Sequence, residues 1–373
     1  MHTQAYKLQM IAPLHVGTKG LDKTDTLEYF PSSTFFSALV ISWLEMGQEA
    51  WVDAFELDNI QQSPPLQITS AFPYVGDVFF LPRPMLPIML EADEEQPSPV
   101  ESSIAPTLDK KSARKIRWIS TEIFKAMLEP DVRINELVEA GTLIQDNEVL
   151  MTREEEARVT DILAFDEDTY RIWKQPEQAH VTVDRRTGAG NLHFVGSTFF
   201  QPGSGLWCMG RSREPEWLDH LEIALGYLAD SGIGGQRSKG YGRFELETMP
   251  TLPEFGGQAD GEYEILLSRT APHQAQMGAL IAEHSRYLLH EVGGFSVSYP
   301  YGQQRDHPSA TLRRPVRMLQ EGSVIQRQSG NLLTGRLLNV RANPQDGGHI
   351  IHLYGYGYGI PYQPPVADKI GKI

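Results

Sequence analysis

From Ser33 onward, Phe35, Phe36, Leu39, Val40, Trp43 and Leu44 recur at the spacing of a helix with one apolar face, with Ser32 or Ser33 as N-cap and Gly47 as stop. Trp217, Leu221, Ala224, Leu225 and Leu228 predict a second helix that ends at Gly232. Beyond a glycine-rich turn, Phe244 and Leu246 alternate with Arg243, Glu245 and Glu247, the period of a half-buried strand. The order there is helix, glycine loop, strand. Tyr6 to Ile11 reads as a first strand, and His180 to Val183 with Asn191 to Phe200 reads as a hairpin with a long tip. Phe72 to Leu90 is strand-prone but interrupted by Pro73, Pro82, Pro84 and Pro87, which predicts edge strands and extended loops.

Between about residues 91 and 178 the character changes to an acidic Pro/Ser stretch, a basic run and amphipathic segments, which reads as an insertion. Residues 251–261 are Pro/Gly-rich without periodicity, and are taken as a linker between units at 1–250 and 262–373. The second unit opens with a strand from Tyr263 to Ser268, followed by a helix expected around Gln276 to Leu289 and strands near Ser323 to Ile325 and His349 to Tyr358. Each half thus reads as an α+β sandwich.

The chain has 373 residues, 40% of them apolar, enough for two compact units. The single cysteine, Cys208, rules out an intrachain disulfide and a cysteine-based zinc site, and suits the cytoplasm. No stretch approaches a membrane span, and no His-pair or EF-hand spacing suggests a metal, so neither membrane nor cofactor is expected. The net charge of -15 argues against phosphate binding by the surface as a whole. Local clusters therefore decide the question.

One such cluster is Ser231-Gly-Ile-Gly-Gly-Gln-Arg-Ser-Lys-Gly-Tyr-Gly242. Gly232, Gly234, Gly235 and Gly240 strip side chains from the backbone, so the amides, with Gln236, Arg237, Ser238 and Lys239, suit an anion. Tyr241 offers a stacking face for an unpaired base. The order helix-then-loop excludes a P-loop. A plain helix cap with a tight turn is the competing reading. Arg185 and Arg186 sit on the hairpin tip, as RNA contacts or as solvated turn residues. Arg305, Arg313, Arg314 and Arg317, interleaved with Tyr299 and Tyr301, form a second basic segment suited to single-stranded RNA. The run from Lys110 to Arg117 reads as a solvated helix face, and Tyr354, Tyr356 and Tyr358 as buried packing.

With these residues in view, Ser231 to Phe244 resembles the glycine-rich loop of the RAMP superfamily of CRISPR proteins. Pro13-Leu-His-Val-Gly17 and Ser33-Thr-Phe-Phe-Ser-Ala-Leu39 are similar to the RAMP beginning. Leu266-Leu-Ser-Arg-Thr270, Val292-Gly-Gly294 and Glu321-Gly-Ser-Val324 resemble the C-terminal half of the subunit that caps the guide-RNA 5′ handle in type III-A (Csm) effector complexes. The resemblance implies two ferredoxin-like (RRM-like) domains, crRNA held against the glycine loop, and contacts with a large polymerase-like subunit and a backbone RAMP subunit. It also implies that the chain is not itself the nuclease. His15 and Gly17, after the first strand, then belong to the RNA-contacting set. A catalytic role for His15 with Arg237, as in the superfamily's precursor-processing endoribonucleases, and a protein-only assembly role are the alternatives.

Overall fold

In a computed structural model, the described residues are 1–19, 22–56, 64–86, 115–129, 132, 134–166, 169–184, 186–188, 190–257, 260–294, 313–327, 334–342 and 350–364. Among them a nine-stranded mixed sheet forms the centre of the molecule. Its strands in chain order are β1 (His2–Met10), a short pairing at Gln67–Ile68, β2 (Phe72–Val75), β3 (Val78–Pro82), β4 (Trp118–Ser120), β5 (Gly141–Ile144) and β6 (Val149–Thr152). After the hairpin β7 (Glu177–Val183) and β8 (Gly190–Gly196), the sheet is completed by β9 (Ser204–Ser212) and β10 (Phe244–Thr248). The spatial order is β10-β1-β9-β2-β3-β4-β6-β5, with only β4 and β6 parallel.

The residues 118–152, which read as part of an insertion, thus extend the central sheet. Pro73 and Pro82 stand inside that sheet, which corrects the expectation of edge strands. β2 meets β3 only through Tyr74 and Val75, so Pro73 faces β9 alone, and β3 meets β2 through Val78 and Phe79, so Pro82 faces β4 alone. Each proline lacks a donor on a side where no neighbour needs one.

Alternation sorts the sheet's side chains onto two faces. On one, Tyr6, Leu8, Met10, Leu206 and Cys208 pack under helix α1 (Ser32–Glu45) and helix α2 (Glu216–Ser231). On the other, Phe72, Tyr74, Trp207 and Met209 join Phe124, Ile172 and the C-terminal residues Ile265, Leu267 and Tyr358. Both faces are buried. Ser32 and Ser33 do not cap α1. They lie in its first turn, where Ser32 bridges the two halves: its amide donates to Ser70 Oγ at 2.8 Å and its Oγ accepts from the Arg269 amide at 2.9 Å.

The C-terminal part holds a three-stranded sheet of β11 (Tyr263–Leu266) between β12 (Val324–Gln326) and β13 (Gly359–Tyr362). The helix expected around Gln276 to Leu289 is instead a 3-10 stretch, Gln274–Ile281, followed by a strand at Leu289–Val292. It buries only Gln276 and Ala279, too little for an apolar helix face. Tyr354, Tyr356 and Tyr358 are buried as expected, but between strand segments rather than along one. They join the halves: Tyr354 Oη accepts from the Ile68 amide at 2.8 Å, and Arg211 lies 4.1 Å from the Tyr358 ring centroid. Among the described residues no helix is long and apolar enough to cross a membrane.

Candidate nucleic-acid interface

The glycine loop begins where α2 stops, because Gly232 takes φ 81° and no side chain there fits: a Cβ would lie 2.3 Å from the Tyr241 carbonyl oxygen. Gly234, at φ 79°, is pressed against the first strand's exit in the same way, its Cβ position 2.4 Å from the His15 carbonyl oxygen. Backbone bonds fix this half of the loop. The amide of Ile233 donates to Gly242 at 3.0 Å, that of Gly235 to His15 at 2.8 Å and that of Gly242 to Pro13 at 2.8 Å. Close backbone packing, as well as any ligand, therefore explains why glycine occupies these positions, as the competing reading held.

The other half of the loop is open. Gln236 adopts left-handed φ 60°, Arg237 to Lys239 form one 3-10 turn, and Gly240 at φ 84° returns the chain. Lys239 and Gly240 amides close this turn on Gln236 and Arg237, whereas the amides of Gly234, Gln236, Arg237 and Ser238 donate to no acceptor among the described residues. A left-handed residue followed by right-handed ones is the backbone arrangement that concentrates amides on an anion. The Arg237 side chain makes no hydrogen bond or ion pair among the described residues.

The loop's open face borders a cleft of about 600 Å³, lined also by His15, Gly17, the outer side of α1 and, from the C-terminal part, Arg313 and Ile350–His352. Ala38, Ile41 and Leu44 of α1 give it one apolar wall. Arg313 is held by a bond from its NH2 to the Gly293 carbonyl at 2.7 Å, but its Nε is buried without a partner. Burial lowers the Arg313 pKa from the usual arginine value, because desolvation disfavours the charged form. His15 is 7% exposed, and its Nδ1 lies 2.8 Å from the Gly196 carbonyl, a bond that makes Nδ1 the donor and anchors the ring to β8.

The structure brings His15, Gly17, Gly232, Gly234, Gly235, Arg237 and Arg313 onto one cleft. It places others elsewhere. Tyr241 is no stacking face: it is 5% exposed, and its hydroxyl donates to Gln178 and lies 3.2 Å from Ser197 Oγ and 3.3 Å from His180 Nε2. Two polar partners on β7 and Ser197, just past β8, hold the ring inward. Ser238, Lys239 and Gly240 are exposed beyond the cleft, Arg186 is exposed on the hairpin tip, and Arg314 and Arg317 are exposed outside the cleft lining. Arg185, Arg305, Tyr299 and Tyr301 lie outside the described residues. Arg117, read as part of a solvated face, is instead paired with buried Glu28 at 2.8 Å. The apolar wall on α1 and Ile350–His352 were not foreseen; the only sequence signal was that Val40 and Leu44 belong to a helix carrying more apolar residues than one core face requires.

The family model of the RAMP superfamily matches residues 7–245, more than half of the chain. The chain belongs to the RAMP superfamily. In this RAMP protein, residues 259–362 further match the model described as the CRISPR Csm4 C-terminal domain. It is 27% identical over 300 residues to the CRISPR system Cms protein Csm4 of Streptococcus thermophilus, covering 79% of this chain and 82% of the relative. Its fold is similar to that of the Csm3-Csm4 subcomplex in the type III-A CRISPR-Cas interference complex, with a TM-score of 0.62 at 16% identity, covering 97% of this chain and 100% of the other. It also resembles the Csm1-Csm4 cassette in complex with cA4, with a TM-score of 0.52 at 16% identity over 98% and 100% of the two chains. At these identities the two structures speak for the RAMP protein's fold.

Proposed function

We propose that the chain is the Csm4-type, non-catalytic guide-RNA-binding subunit of a type III-A RNA-guided effector complex. It holds the crRNA 5′ handle in the glycine-loop cleft and bridges a large Csm1-like subunit to a Csm3-like backbone subunit, in the cytoplasm. The observation that carries this reading is the meeting of the Gly234 and Arg237 amides and the Arg237 side chain, none of them bonded among the described residues, with the buried, unpartnered Nε of Arg313 on one apolar-walled cleft. Amides and arginines suit phosphate oxygens, and the α1 wall suits a base turned out of a stack. The partners are those in the names of the Csm3-Csm4 and Csm1-Csm4 structures of similar fold.

We also read the chain as two ferredoxin-like domains, at 1–250 and 262–373, joined by 251–261 and with an insertion in the first. The two family models support that division, since one ends at 245 and the other begins at 259.

The test is affinity of the purified chain, alone and in its complex, for a guide RNA carrying its handle. Arg237→Ala and Arg313→Ala are each expected to weaken binding about tenfold. Unchanged affinity in both variants overturns the reading.

A further inference from the structure

A second cavity, of about 450 Å³, opens where the end of β3 and the start of β4 meet the C-terminal part, and it is separate from the glycine-loop cleft. Three arginines from three segments line it: Arg83 after β3, Arg117 before β4, and Arg286 from the C-terminal part. We propose that this cavity is a nucleotide site, which takes the phosphate on these arginines and the base on its apolar wall of Met85, Tyr287 and Leu288.

Arg286 retains donors for such a ligand. It uses NH1 on the carbonyls of Glu283 at 2.6 Å and Ser285 at 2.8 Å and makes no ion pair among the described residues. Its remaining N–H groups are uncommitted by those bonds. Arg117 is oriented from below by Glu28, at 2.8 Å from its NH2, with Glu148 at 3.7 Å from NH1. Arg83 is partly buried, and burial lowers its pKa. The carboxylate in the lining, Glu321, is engaged inward: it accepts from Ser70 Oγ at 2.6 Å and from Tyr29 Oη at 3.4 Å and faces Arg269 Nε at 3.6 Å. It is therefore spoken for and adds little repulsion at the mouth.

Size is compatible with a small anion. The volume falls within the roughly 300–1,000 Å³ of small-ligand sites. A single nucleotide fits such a volume. The nucleotide's source is either a free mononucleotide or the phosphorylated end of an RNA.

The experiment uses the full chain with AMP, adenosine and inorganic phosphate as probes, read by calorimetry. AMP is expected to bind at least tenfold more tightly than adenosine. Exposed Arg286→Ala should weaken AMP about tenfold with the melting temperature unchanged, whereas Arg237→Ala should leave AMP binding alone. Competition by a 5′-phosphorylated trinucleotide supports an RNA end as the source, and its absence supports a free nucleotide. Equal affinity for adenosine and AMP, or AMP binding that survives Arg286→Ala and is lost in Arg237→Ala, overturns the site while leaving the proposed function standing.

Discussion

The hydroxyl of Tyr241, at the far end of the glycine loop, donates a hydrogen bond to Gln178 at the base of the β7-β8 hairpin. Ser197 Oγ at 3.2 Å and His180 Nε2 at 3.3 Å complete the cluster, and His180 stacks on His193 across the hairpin with ring centroids 5.8 Å apart. A projecting arm and the loop that borders the cleft are thereby tied at one buried point. Tyr241→Phe removes that tie without opening space, and is expected to cost about 1–2 kcal/mol because Gln178 and Ser197 lose a buried partner. Chemical denaturation measures it, and a change below a few tenths would show that the tie contributes nothing.

Two glycines of the same loop separate conformational strain from collision. Gly240, at φ 84°, has open space where a Cβ would go, so Gly240→Ala should cost only the left-handed penalty of about 1 kcal/mol. Gly234, at φ 79°, adds a backbone clash with His15 at 2.4 Å, so Gly234→Ala should cost at least twice as much. Denaturation midpoints of the two variants, compared side by side, check the ratio.

If Arg237 and Arg313 each hold a phosphate, their removal should change salt dependence as well as affinity. Each substitution to Ala is expected to flatten the slope of log affinity against log salt by about 0.7, the value for one single-strand phosphate contact. Arg317→Ala, exposed and outside the cleft lining, should leave the slope unchanged. A titration between low and moderate salt decides it.

Acid should loosen the protein through His352, which lines the cleft and whose pKa is lowered, chiefly by burial. A histidine with a depressed folded value binds fewer protons folded than unfolded, so stability is full above the unfolded value of about 6.5 and falls as pH drops toward the folded one. The melting temperature should therefore decline from pH 7 to 5.5, and His352→Gln should shallow that decline. Parallel curves for the two proteins would refute it.

Glu28 is 2% exposed and accepts from both Trp118 Nε1 at 2.9 Å and Arg117. Glu28→Ala leaves the indole N–H buried without an acceptor and is expected to cost about 2–3 kcal/mol, discounted from a fully buried pair because Arg117 is half exposed. Glu28→Gln, which keeps an acceptor, should recover most of the loss.

What can be read from residues alone follows the range of the interactions involved. Helix α2 and its stop at Gly232, and the β7-β8 hairpin, are local, and periodicity and turn chemistry report them. The extension of the sheet through β4, β5 and β6 escapes the pattern because Trp118-Ile-Ser120 and Val149-Leu-Met151 are buried on both faces and so show no alternation. The orientation of Tyr241 escapes it too, because what turns the ring inward lies some sixty positions earlier, at Gln178 and His180. Arg313 belongs to a basic segment visible in the sequence, but the wall at Ile350–His352 arises only when the C-terminal part docks on α1.

That docking has a consequence for anyone dividing the polypeptide. One fragment would carry α1 and the glycine turn, the other Arg313 and residues 350–352, and neither alone would possess a recess. Mixing the severed pieces and watching for recovered ligand capture would report reassembly itself.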